Sequence, residues 1–113
     1  MTRVTNPAAA RFREAAGRLL TRVEHWSQAR WSAPARDDRG RNRADVVHAL
    51  VQRLADLSAE AEGRDPQPVP RLPNDLALPD QVRVMVADLG LAGASEDLLR
   101  EAAGEIDAAA ARV

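Results

Sequence analysis

Apolar residues recur along residues 7–31 at the spacing of one helix face. Phe12, Ala16, Leu19, Val23 and Trp26 follow one another at intervals of 4, 3, 4 and 3, and Ala9, Ala15 and Leu20 widen the stripe. This 3.6-residue period predicts an amphipathic helix. Asn6 is suited to cap it and Pro7 to occupy its first position, where a missing N–H costs nothing. Ser32-Ala33-Pro34 should end it, because the residue before proline avoids the α region.

A second period runs through Val47, Leu50, Val51, Leu54, Leu57 and Ala61. It predicts a helix over 43–62, with Asn42 as N-cap, Asp45 favoured in its first turn and Gly63 closing it. Between the two lies Ala35-Arg36-Asp37-Asp38-Arg39-Gly40-Arg41-Asn42-Arg43, within a charged loop over 32–43 that reads as having no apolar anchor. It is expected to be solvated and mobile.

Residues 63–78 carry Pro66, Pro68, Pro70 and Pro73, a density that forbids helix and favours extended, polyproline-like backbone. Val69, Leu72, Leu76 and Leu78 make this strap too apolar to float free, so it should cover part of the core. Pro79 opens a third helix, over about 79–89, with Val82, Met85, Val86 and Leu89 on its inner face. Ser95 caps a fourth, over about 96–112, whose face is Leu98, Leu99, Ala102, Ala103, Ile106, Ala109 and Val113. The pattern therefore predicts one all-α domain spanning 1–113: a small up-down bundle of about four helices with an extended strap between the second and third.

Composition agrees with this class. Of 113 residues only Phe12, Trp26 and Trp31 are aromatic, and 45% are hydrophobic with alanine prominent, so β-formers are too sparse for strands and the core must be thin. Its small volume makes self-association, as a dimer, the expected state. The alanine-rich last helix would let a neighbour approach closely; the alternative is that it packs on its own chain and frays after Ala108. No cysteine is present, which excludes disulfides and thiol chemistry and suits a cytoplasmic location. No stretch approaches the length of apolar residues needed to span a bilayer, and Arg11, Arg13 and Glu14 interrupt the start too early for a signal sequence.

The charge is split along the chain. All sixteen basic residues are arginine. Residues 1–43 carry ten of them against Glu14, Glu24, Asp37 and Asp38, a balance of +6, whereas residues 44–113 carry six against thirteen carboxylates, a balance of −7. Arg36, Arg39, Arg41 and Arg43 cluster near Trp31, which makes these five the candidate interaction surface. Nucleic acid is a weaker candidate partner than another protein, because Asp37 and Asp38 interrupt the cluster and the rest of the chain would repel a polyanion.

Catalytic patterns are scarce. If the first two helices pack antiparallel, Glu24 and His25 come level with Asp45 and His48, a conceivable metal site, although it lacks the Glu-x-x-His repeat of the carboxylate-bridged bundles. The simpler expectation is partly exposed histidines bonded to neighbouring acids. Gly90-Leu91-Ala92-Gly93-Ala94-Ser95 follows a helix and lacks the lysine of a phosphate loop, so it reads as a turn. A non-enzymatic protein without a cofactor is expected. On an ideal helix Trp26 and Trp31, five residues apart, would point about 140° from each other, so Trp26 is assigned to the core and Trp31 to a corner or a contact.

Overall fold

A computed structural model describes residues 6–113; the reading of residues 1–5 as free of a signal sequence lies outside them. The described residues form five α-helices and no strand: α1 (Pro7–Val23), α2 (Gln28–Ser32), α3 (Arg43–Glu62), α4 (Leu78–Leu91) and α5 (Glu96–Arg112), with a 3₁₀ turn at Asp75–Ala77 before α4. No helix is long and apolar enough to cross a membrane among these residues.

Side-chain caps fix most of the helix starts. The Asn6 side chain accepts from the amides of Ala8 and Ala9, and Pro7 sits at the first position of α1. At α3, Asn42 accepts from the Asp45 amide while the Asp45 carboxylate accepts from the Asn42 amide, so two orphan donors are satisfied reciprocally. Ser95 caps α5 through the Leu98 amide. Gly63 ends α3 with φ +68°, a left-handed conformation that only glycine adopts at little cost.

The long first helix of the sequence reading is broken. α1 ends at Val23, Glu24 and His25 turn, and Ser27 starts α2 by accepting from the Arg30 amide at 3.3 Å. The break forgoes a turn of helical hydrogen bonds, but it brings the two tryptophans to the same side. Their rings meet edge to face with centroids 5.0 Å apart, and both are buried, Trp31 completely. Burial of two indoles outweighs helix continuity here, since each removes a large apolar area from water.

The helices do not simply alternate in direction. Residues 63–74 run back along α3: Gln52 bonds Gln67 and Val69, His48 meets Val69, and Arg71 reaches Asp45 near the start of α3. α4 therefore begins beside the start of α3 and runs in the same direction, which places Ala55 and Ser58 against Met85 and Asp88. The returning segment covers less core than its composition suggests. Val69 packs against the core, whereas Leu72 and Leu76 are exposed.

α5 then runs antiparallel to α3, with Arg53 paired to Glu101 and Glu105, and parallel to α1, with Arg11 and Arg18 on Asp107 and Arg22 on the carbonyls of Ala110 and Val113. Ala102, Ala103 and Ile106 are fully buried in its middle, and Val113 is buried too. The alanine face is thus consumed within the chain, and the last turn is held rather than frayed. Arginine side chains at a helix C-terminus are also favoured by its dipole.

Candidate interaction surface

The loop 33–42 is structured, unlike the mobile segment the sequence suggests. Pro34 and Asn42 form an isolated antiparallel bridge, the Ala35 amide donates to Arg41 and the Arg43 amide to Ala33. Ala35 is buried and acts as the apolar anchor that its small size conceals. The Arg36 amide donates to the Arg112 carbonyl, and Arg112 pairs with Asp37 at 2.9 Å, so the loop is fastened to the end of α5. The hydrogen bond from Arg112 holds the Asp37 carboxyl below the usual carboxylate range.

Of the candidate surface residues, Trp31 is removed by its burial: it is 0% exposed, so it is a core residue. The arginines remain at the surface. Arg36 and Arg39 are exposed, while Arg41 and Arg43 are half-buried. The guanidinium carbons of Arg30 and Arg43 lie 5.1 and 5.2 Å from the Trp26 ring centroid, a cation–π arrangement that orders both side chains. Sequence reasoning that treats Trp26 only as core misses this use of it.

The four candidate metal ligands do not gather. Glu24 holds Arg83 at 2.8 Å and neighbours exposed His25. Asp45 belongs to the α3 capping box and also pairs with Arg71; its carboxyl is pulled below the usual range chiefly by the hydrogen bond from the Asn42 amide, opposed by burial and reinforced by Arg71. His48 sits with Nε2 at 3.2 Å from the Val69 carbonyl oxygen, to which it donates. No group of three or more His, Asp or Glu capable of holding a metal occurs among the described residues. Each acid is already satisfied by a cap or an arginine, which explains the dispersal.

Among the described residues the most exposed apolar surface is elsewhere, on α4. Leu91 is 88% exposed and Val84 53%, and with exposed Ala87 between them they form a stripe at positions i, i+3 and i+7. Beside Leu91 lies a groove of ≈ 610 Å³ between α1, α4 and the turn into α5, lined by Ala9, Phe12, Val86, Leu89 and Leu99 among others. Arg13 is its one charged lining residue among those described. The stripe was visible in the sequence as apolar residues off the inner face of α4, at a spacing of seven.

The chain matches no protein-family model, no curated protein and no solved structure.

Proposed function

We propose that this is a non-enzymatic, cytoplasmic interaction protein that self-associates through the outer face of α4 and the adjoining groove. The observation that carries the reading is Leu91, a large apolar side chain 88% exposed at the edge of an apolar groove. Scattered exposed leucines are ordinary, but a contiguous stripe beside a concave apolar surface has the form of a helix-docking site. A second copy is the natural occupant because one chain offers both halves of the contact. A two-fold axis passing near Ala87 presents each stripe to the other copy's groove, as isologous interfaces require. Gly90 assists this, since a Cβ added there would meet nothing within 4 Å among the described residues, leaving room for a neighbouring backbone.

Light scattering at low and high salt tests the proposal. A dimer insensitive to salt is expected, because the contact is apolar, and Leu91→Asp should give a folded monomer. A wild-type monomer at both salt concentrations would overturn it. The separate engagements of Glu24, Asp45 and His48 count against the metal-dependent alternative at those residues.

A further inference from the structure

Eight arginines pair with carboxylates: Arg11, Arg18, Arg53, Arg64, Arg71, Arg83, Arg100 and Arg112. Arg13 and Arg22, both on α1, form no such pair, and the other five described arginines without one concentrate in one place. Arg30, Arg36, Arg39, Arg41 and Arg43 fall within fourteen consecutive residues, and among the described residues none of them forms an ion pair. Arg36 and Arg41 donate only to the carbonyls of Val113 and Asp45, bonds that leave their charge uncancelled. The two acids of the segment are occupied: Asp37 is neutralised by Arg112, and Asp38 accepts from the Gly40 amide at 2.8 Å.

We infer that the Arg30–Arg43 face is a second binding surface, distinct from the α4 groove, and that it takes an acidic segment of another protein. Three features support that occupant. First, the guanidiniums are presented on a framework rather than on a floppy loop: the Pro34–Asn42 bridge holds the hairpin, and Trp26 carries Arg30 and Arg43. Ordering the donors in advance lowers the entropy lost on binding. Second, guanidinium forks match carboxylates in pairs of parallel hydrogen bonds, and Arg30, Arg36 and Arg39 present theirs at the exposed surface. Third, the tryptophans are enclosed, Trp26 being 7% exposed and its ring covered by arginine. No aromatic platform remains for nucleic-acid bases, which single-strand binding relies upon. Asp38, left within the face, suits a polypeptide with mixed polar groups better than a uniform line of phosphates.

The test is fluorescence anisotropy with a labelled glutamate-rich peptide, alongside labelled duplex DNA and single-stranded RNA, at low and high salt. The peptide should bind at low salt and weaken as salt is added. Arg30→Glu with Arg39→Glu, both exposed and outside every ion pair among the described residues, should weaken it by about tenfold or more, while the paired lysine substitutions, which keep the charge but lose the fork, should weaken it by less. Circular dichroism and the solution mass of the charge-reversed protein should stay as in the wild type. Leu91→Asp should bind the peptide unchanged, which separates this surface from the self-association proposed above. No peptide binding at low salt, or tighter binding of either nucleic acid, would overturn the inference. So would a change of oligomeric mass in the charge-reversed protein, since the face would then belong to a contact between copies.

Discussion

At the scale of single residues, Trp31 concentrates the most packing in one side chain. It is completely buried, yet its indole N–H lacks an acceptor among the described residues, and an unsatisfied buried donor costs about 1–3 kcal/mol. Trp31→Ala should therefore cost about 3–5 kcal/mol in urea denaturation, whereas Trp31→Phe, which keeps an aromatic body and deletes the orphan donor, should cost far less. A large loss in the phenylalanine variant would show that the N–H is satisfied in solution. Asp45 gives a pH signature. Its carboxyl is held below the usual range by the Asn42 amide and Arg71, so the stability it contributes is present above the ordinary aspartate pKa and is lost as pH falls through the lowered one. The urea midpoint of the wild type should drop across that acid window, and Asp45→Asn should flatten the drop; equal slopes in the two proteins would refute it.

At the scale of elements, the caps dominate. Asn42→Ala removes one side of the capping box and should destabilise α3 by about 1 kcal/mol. Gly63→Ala forces a Cβ into the left-handed region and should cost about 1–2 kcal/mol. These ends were legible in the sequence because they depend on neighbours a few residues away: Asn6 with Pro7, Asn42 with Asp45, Ser95 before the acids of α5. The break after Val23 was not. Local propensity favours a continuous helix through Trp31, and what ends it is the burial of two rings against each other, a tertiary gain that no local pattern records. The metal-ligand set failed for a similar reason. Glu24 and His25 lie in the turn after α1, which packs on α5 rather than on α3, and the acids are held by Arg83, Arg71 and the α3 cap, whose positions depend on segments far along the chain.

For the whole molecule, the all-helical class follows from composition and period, but the relative directions of the helices do not. The proline-bearing segment after Gly63 returns along α3, so α3 and α4 run together and α1 is left to pair with α5. That arrangement closes α4's inner face and leaves Val84, Ala87 and Leu91 outward. Leu91→Asp is predicted to change oligomeric mass with little effect on the urea midpoint, because the side chain is 88% exposed. Gly90→Ala is a sharper probe: replacing a glycine in the last turn of α4 should leave the chain as stable or slightly more so, yet the added methyl lies on the groove lining and should weaken association.

The pairing of α1 with α5 also sets an order of events during synthesis. The apolar face of α1, from Phe12 to Val23, leaves the ribosome more than seventy residues before the helix that lies parallel along it is complete. Until Arg22 can reach the carbonyls at Ala110 and Val113, that face can be shielded only in part, by α4 and by transient collapse. Contacts between distant parts of a chain are slow to form and leave apolar surface open meanwhile. A nascent chain stalled before Glu96 should therefore be a target for chaperones, and one released there should aggregate rather than persist as a smaller folded protein.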